Sequence, residues 1–505
     1  MAAEDMSQVL DQRVATPLSP RAVGATGAAA AFALICTAAL LLRWRYGTDT
    51  DVSWIITINE TLLRGGRLYV DVFEPNPPAS VLIYMFPVWT AQLIGVRPEL
   101  AVDFFVFALA GFSLALTMRL VRGTSILGDA EPVAFCLVGS AVFLILPTLT
   151  FGQREHIATL LLLPSLFVQA RQAERSVAPF GWALLAGIAS GIAVAVKPPL
   201  AAVVAAGGIA AAWRSGRLIG LFAIVNVAAA AVALLYVVAA WWFFPEFFTV
   251  ILPMVADTYT WLREPLWLLI LQPALPSLLV LVVIGLMIER GRWPAATVVL
   301  FAGAVGAAVS FLVQGKGWAY HAYPMLALAL TALGILVLGS RLSSRRIGLA
   351  MAWALAVAIF GGIWLASDEA EPEIAVRAML ERVRPHPTML LIGSNISTGH
   401  PLVRRLGGRW VGTLPCIWAA HGARLRRMFG GVSPEADRRL DDHIAREKAV
   451  LIADIRDKKP EVILFNHYAF DWYAWAKSDP VIAELLNDYE QATTIQGGTL
   501  WWRRR

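Results

Sequence analysis

Twelve apolar runs constrain the fold of this chain more than any other feature. Most are close to the length of ~20 residues at which a helix spans the hydrocarbon core of a bilayer. Of the 505 residues, 58% are hydrophobic and 15% are charged, whereas soluble domains carry about 25% charged residues. Transmembrane β-barrels show short alternating segments instead. The runs therefore predict a polytopic α-helical membrane protein. They cover residues 22–42, 79–96, 99–120, 132–149, 157–170, 180–196, 198–213, 218–242, 266–288, 294–313, 322–340 and 347–366.

These runs divide the chain into three regions. Residues 1–21 are polar and predict a disordered cytoplasmic tail, and residues 22–366 predict a membrane domain whose first outer loop is 43–78. Residues 367–505 are mixed in polarity and long enough for a small folded domain. Strand-like segments near 388–393, 461–465 and 492–502, with a polar helix after Ser433, predict an α/β fold for this C-terminal domain.

Orientation follows from arginines in five short loops. Cytoplasmic loops of membrane proteins are enriched in Lys and Arg. The five basic loops alternate with non-basic loops only if the run 79–96 does not cross. We therefore expect eleven transmembrane helices, with 79–96 as a re-entrant or interfacial helix. The N-terminus is then cytoplasmic and the C-terminal domain lies on the outer, periplasmic face, as for a multi-pass protein of a bacterial inner membrane. The basic loops contain Arg119 and Arg122, Arg171 and Arg175, Arg214 and Arg217, Arg290 and Arg292, and Arg341, Arg345 and Arg346.

This topology collects polar groups on the outer face, so any chemistry is expected there. The first outer loop contains Asp51, which directly precedes a helix-like segment. An aspartate in this place is a solvated loop residue, a helix N-cap, or a general base that takes the proton of an attacking hydroxyl.

Charged residues also lie at the edges of later runs. Arg154 and Glu155 either form an interfacial salt bridge or supply a phosphate-binding guanidinium and a second acid facing Asp51. The segment from Lys316 to His321, which includes Tyr320, is either an aromatic belt or a cationic site for a lipid-linked phosphate. Lys197 is either a snorkelling lysine or a phosphate ligand, and the first interpretation is favoured.

The order of these motifs resembles the C-type (GT-C) membrane glycosyltransferases, in particular the branch of protein O-mannosyltransferases and lipid A aminoarabinose transferases. The resemblance rests on Asp51, the segment 62–66 with its glycine pair, Tyr69, Asp71 and the prolines 77–78. It implies that Asp51 is the catalytic acid of the loop. It also implies that Glu155 is a second acid, and that the segment 316–324 contributes to a polyprenyl-phosphate site.

The resulting hypothesis is an inverting glycosyltransferase that moves a sugar from a polyprenyl-phosphate donor to an acceptor hydroxyl. Asp51 acts as base, and Arg154, Lys316 and His321 bind the phosphate, with Tyr320, Tyr69 and Asp71 as further binding residues. The acceptor is a lipid, a polysaccharide or a protein, membrane lipids surround the protein, and no nucleic-acid partner is expected. A divalent metal between Asp51 and Glu155 is conceivable, but two carboxylates do not make a specific metal site, so none is predicted. The alternatives are a flippase or other transporter and a polymerase of lipid-linked glycans.

Overall fold

The structure is a computed structural model that describes residues 24–340, 348, 374–467, 470–495 and 497–504. The predicted disordered segment 1–21 and nearly all of the predicted last span, 347–366, lie outside these residues. The structure therefore bears only on the runs between residues 22 and 340, and the count of eleven spans stays a prediction.

Helices occupy the predicted apolar runs between residues 22 and 340, as far as the structure describes them. A π-helical turn at Phe247–Ile251 precedes α11, and short 3₁₀ turns lie at Thr148–Thr150, Pro198–Leu200, Leu218–Phe222 and Tyr259–Trp261. The helices are α1 Ala25–Tyr46, α2 Thr50–Leu63, α3 Pro78–Leu82, α4 Met85–Ile94, α5 Pro98–Val121, α6 Pro132–Leu144, α7 Arg154–Ala173, α8 Phe180–Val196, α9 Ala201–Ser215, α10 Ile224–Phe243, α11 Leu252–Asp257, α12 Leu266–Leu271, α13 Ala274–Ile288, α14 Ala295–Gln314 and α15 Ala319–Gly339.

Among the described helices, five are long and apolar enough to cross a bilayer: α1, α5, α10, α14 and α15. The segment 78–94 and helices α6, α8 and α13 are apolar but shorter. The run 79–96 is divided into α3 and α4, and α4 ends at Gly95 in the left-handed conformation. Helix α4 leaves Phe86, Trp89 and Leu93 exposed. The segment is too short for a span by length, and its interfacial or re-entrant location stays a prediction.

Helix α7 forms the centre of the bundle, because every residue from Arg154 to Ala170 is buried. Residues 157–168 of this helix are largely apolar, as suits a helix that is surrounded by other helices. It packs against α5, α8, α9 and α14. Small residues bring other helices close together: a Cβ added at Gly187 of α8 would lie 2.5 Å from the Val225 carbonyl of α10. Such close backbone approach is how helices associate within lipid. The charged N-terminus of α7 is thereby fixed in the middle of the fold.

The C-terminal part contains a five-stranded mixed sheet, as its α/β pattern predicts. The strand order is β2-β1-β3-β5-β4, with β1 parallel to β2 and β3, and β5 antiparallel to β3 and β4. The predicted strands and closing hairpin are present, and Ser433 caps the long helix α19 as expected. The elements are α16 Ile374–Val383, β1 Thr388–Ile392, α17 Leu402–Arg405, β2 Arg409–Trp410, α18 Ala419–Phe429, α19 Pro434–Lys458, β3 Val462–Asn466, α20 Trp472–Lys477, α21 Pro480–Leu485, β4 Tyr489–Ile495 and β5 Gly498–Arg503.

Candidate functional site

Asp49, rather than Asp51, caps the N-terminus of α2. Its carboxylate accepts hydrogen bonds from the backbone N–H of Asp51 at 2.9 Å and of Val52 at 3.2 Å. It also accepts one from the side-chain amide of Gln153 at 2.6 Å. The interpretation of Asp51 as an N-cap is therefore wrong. The Asp51 side chain is left to make other contacts from the first turn of the helix.

Those contacts are with the N-terminus of α7. A guanidinium nitrogen of Arg154 lies 2.7 Å from the Asp51 carboxylate, and the other terminal nitrogen lies 3.4 Å from Glu74. The side chains of Arg154 and Glu74 are almost fully buried, whereas that of Asp51 is 22% exposed. The buried guanidinium of Arg154 thus pairs with two carboxylates. Of these two, Asp51 is accessible to an incoming molecule and Glu74 is not.

Glu74 was not identified from the sequence as a site residue. Its carboxylate accepts a hydrogen bond from the Trp54 indole at 2.9 Å and others from the backbone and side chain of Asn76. Burial raises the pKa of Glu74, while the charge of Arg154 lowers it. The only signal in the sequence was its position within the polar stretch 49–78.

Arg154 and Glu155 are neighbours in sequence but have different partners. Glu155 lies 2.6 Å from the ammonium of Lys197 and 3.4 Å from Nε2 of His321. All three side chains are buried. An interfacial Arg154–Glu155 pair is therefore not what the structure contains, and Lys197 does not snorkel to the bilayer surface. A second buried group of opposite charges lies beside the first.

Lys316 lies in the loop between α14 and α15, over an aromatic surface. Its ammonium is 3.8 Å from the centre of the Tyr259 ring and donates a hydrogen bond to the Tyr259 carbonyl. Burial and the nearby Arg263 lower the pKa of Lys316 to about 7. Among the described residues, the hydrogen bond of this ammonium goes to a backbone carbonyl and not to a carboxylate, so the buried charge is suited to an anion brought by a ligand.

Tyr320 and His321 connect Lys316 to the carboxylate groups. Their ring centres are 4.6 Å apart. Tyr320 is close enough to Asp51, Glu155 and Arg154 to interact with them electrostatically. The structure therefore brings together six of the eight residues that the sequence singled out. These are Asp51, Arg154, Glu155, Lys316, Tyr320 and His321.

Tyr69 and Asp71 belong to a turn beside this group. Tyr69 is buried with φ of 68°, and its hydroxyl donates to the Asn76 carbonyl at 2.7 Å. It thereby supports the loop that holds Glu74. The Asp71 side chain is 50% exposed and accepts a hydrogen bond from the backbone of Arg67. Both residues stabilise the turn. Of the two, Tyr69 is linked to Glu74, through Asn76.

The C-terminal part holds the helix that carries Asp51. Thr50 donates to the His400 carbonyl at 3.0 Å, and the Ser53 hydroxyl lies 3.0 Å from His400 Nδ1. Burial, together with the nearby Arg404, lowers the pKa of His400 to about 3. Arg404 in turn forms a two-pronged ion pair with Glu60 further along α2. Sequence patterns gave no indication of these contacts.

Within the described ranges, no group of three or more His, Cys, Asp or Glu side chains is arranged to hold a metal ion. Lys197 and Arg154 instead occupy the positions next to the carboxylates.

Two solved structures resemble the chain over most of its length. ArnT from Cupriavidus metallidurans, in the apo state, matches with a TM-score of 0.48 at 12% sequence identity, covering 94% of this chain and 98% of that chain. The archaeal oligosaccharyltransferase AglB from Archaeoglobus fulgidus, in complex with an inhibitory peptide and a dolichol-phosphate, matches with a TM-score of 0.43 at 11% identity. It covers 95% of this chain and 74% of that chain. No protein-family model and no curated protein sequence matches the chain.

Proposed function

We propose that this protein is a membrane glycosyltransferase that transfers a sugar from a polyprenyl-phosphate donor to an acceptor hydroxyl. One observation carries the proposal. Asp51 is a partly exposed carboxylate that pairs with the buried Arg154, and the buried cation Lys316 lies over Tyr259 in the loop between α14 and α15. A base near a cation that can bind a phosphate is what this transfer requires.

In the proposed reaction, Asp51 takes the proton of the acceptor hydroxyl. The acceptor oxygen forms a bond to the anomeric carbon as the bond from that carbon to the phosphate oxygen breaks. The electron pair of the broken bond stays on the polyprenyl phosphate. One displacement of this kind inverts the anomeric centre, since no covalent enzyme intermediate intervenes.

Arg154 has a different role in this scheme from the one that the sequence suggested. Its guanidinium nitrogens face Asp51 and Glu74, so it orients the base. The phosphate oxygens are then bound chiefly by Lys316, with His321 and Tyr320 behind it. A preorganised cation stabilises the charge that develops on a leaving phosphate.

The neighbours of Glu155 suggest a role for this second acid. Glu155 is held by Lys197 and His321, and a buried ion pair that keeps both partners is tolerated. We propose that Glu155 fixes His321, and that Glu155 therefore supports the phosphate side of the site without taking a proton.

The test is chemical turnover of a labelled donor by the purified full-length protein. A polyprenyl-phosphate sugar with a radiolabelled lipid is incubated in detergent with a membrane extract as the source of acceptor. We expect labelled polyprenyl phosphate to be released, and Asp51→Asn to release none. A flippase of lipid-linked glycans would leave the donor intact, and this result would overturn the proposal.

A further inference from the structure

A segment of the C-terminal part, Thr413–Trp418, lies against both sides of the proposed site. The backbone N–H of Phe73, the residue before Glu74, donates to the Thr413 carbonyl at 2.8 Å. At the other end, the Trp418 ring is 6.1 Å from the ring of Tyr259. Tyr259 is the residue over which Lys316 lies. The segment therefore extends from the carboxylate side of the site to the cationic side.

Two buried carboxylates of helix α19 hold the ends of this segment. Asp454 accepts hydrogen bonds from the backbone N–H of Thr413 at 2.6 Å and from its hydroxyl at 2.8 Å. Glu447 accepts from the backbone N–H groups of Ala419 and Ala420, both at 2.9 Å. Asp454 and Glu447 are seven residues, or about two helical turns, apart and so lie on one face of α19. Each anchors one end.

The middle of the segment is buried near the charged groups. Leu414, Pro415 and Ile417 are buried, and Cys416 is 1% exposed. Burial raises the pKa of the Cys416 thiol, and the charges of Glu447, Asp51 and Glu74 raise it further. The thiol is thus within electrostatic reach of the two carboxylates that Arg154 serves.

We propose that Thr413–Trp418 is one wall of the reaction site, and that Asp454 and Glu447 are positioning residues that hold the wall closed. This inference rests on the proposed function for its chemical meaning. The residues of the wall between Thr413 and Trp418 are apolar and buried, and in this proposal they keep water from the anomeric carbon while the acceptor is bound. An open wall would admit water as a competing acceptor. The bond from the anomeric carbon to phosphate would then break with formation of a bond to water oxygen, giving free sugar and polyprenyl phosphate.

The position of the wall is tested first without reference to activity. The chain has three cysteines, so Cys36→Ala with Cys136→Ala leaves Cys416 as the sole thiol of the full-length protein. A water-soluble maleimide is expected to label Cys416 slowly in this background. Asp454→Ala should speed labelling by about tenfold or more, because loss of the anchor raises the population of the open segment.

Thr413→Val provides a second, milder opening. It removes the hydroxyl that bonds to Asp454 and keeps the backbone bond to Phe73. We expect labelling at a rate between those of the parent and Asp454→Ala. Glu435→Gln, at an exposed position of the same helix, should label like the parent. Labelling of the parent at the rate of the detergent-unfolded chain would overturn the inference, as would equal rates in all folded variants.

The second arm measures where the sugar goes. Membrane vesicles with a sugar-labelled donor are assayed for transferred sugar and free sugar. Thr413→Val and Asp454→Ala should raise the ratio of free to transferred sugar several-fold, and Glu435→Gln should not. An unchanged ratio in variants that label faster would overturn the role of the wall in excluding water. If the parent releases no polyprenyl phosphate at all, the proposed function fails, while the labelling arm still decides whether the wall exists.

Discussion

Asp51 and Arg154 are joined by an ion pair of 2.7 Å between residues that are 103 positions apart in the chain. The first turn of α2 supplies the carboxylate, and the first turn of the buried central helix α7 supplies the guanidinium. Because α7 is enclosed on all sides, the arginine cannot move far, and it fixes where the aspartate points. The base of the proposed reaction is thus positioned by the buried central helix.

The first prediction concerns this base. Asp51→Asn keeps the shape of the side chain and can still accept a hydrogen bond from Arg154, so the protein should fold. It cannot take a proton from a hydroxyl, and we expect transfer to fall by at least about 10² to 10⁴, the usual contribution of a general base. The measurement is release of labelled polyprenyl phosphate. Asp441→Asn, at an exposed position, serves as the matched control; wild-type rates in Asp51→Asn would exclude the role.

The second prediction concerns Arg154. Arg154→Gln leaves the buried Glu74 and the partly buried Asp51 without their cation. Removing one partner of a buried pair costs about 3 to 5 kcal/mol, so the melting temperature in detergent should fall together with activity. Arg64→Gln removes an exposed arginine and should change neither. A stable but inactive Arg154→Gln protein would instead indicate that the arginine binds substrate directly.

The third prediction concerns pH. The pKa of Lys316 is lowered to about 7 in the unliganded protein, so its ammonium is lost as pH rises through that value. The donor is a phosphodiester whose charge does not change in this range. We therefore expect its KM to rise between pH 6 and pH 9, by up to about tenfold per unit above the pKa.

Two variants of Lys316 check the cause of that trend. Lys316→Arg keeps its charge at every pH in the range and should give a flat profile. Lys316→Met should give a high KM at all pH values. A rise in KM that persists unchanged in Lys316→Arg would assign the titration to another group.

The fourth prediction concerns the attachment of the C-terminal part. Asp257 pairs with Arg426 at 2.7 Å and with Arg439 at 3.1 Å. Burial opposes ionisation of Asp257, but hydrogen bonds from Arg439, Arg426 and His443 lower its pKa to about 2. A lowered carboxyl pKa stabilises the folded state above the ordinary value near 4, and this stability is lost as pH falls toward 2.

Asp257→Asn should therefore lower stability by about 1 kcal/mol at pH 7. Its difference from the parent should shrink as the pH falls from 4 to 2. Thermal melting at a series of pH values measures both. Glu435→Gln, on the exposed side of the same ion-pair group, is the control. A difference that is constant with pH would show that the variant acts through packing alone.

The parts of the fold that follow local patterns could be predicted from sequence. Apolar runs gave the helices, and the Ser433 signature gave the start of α19, whose first turn it caps through Ala436. The two-residue strand β2 at Arg409–Trp410 is too short to leave a pattern of period two. It forms only because β1 lies beside it.

The partners in the site could not be predicted, because they depend on which helices meet. Adjacency in sequence suggests that Arg154 pairs with Glu155, yet successive residues of a helix face different directions. Arg154 faces α2, and Glu155 faces Lys197 at the end of α8. The carboxylates Glu447 and Asp454 lie in a helix that looks solvated throughout its sequence, and only the packed structure assigns them an inward face.

The hydrogen bonds from Thr50 and Ser53 to His400 have a consequence for how such a protein can change over evolution. They join the C-terminal part to helix α2, which carries Asp51, so we expect a substitution at His400 to disturb that helix and the two parts to be inherited together. A chimera that joined this membrane domain to the C-terminal part of a relative would need matching residues at positions 50, 53 and 400. Exchange of the C-terminal part alone would therefore break the hydrogen bonds to His400, unless residues 50 and 53 were exchanged with it.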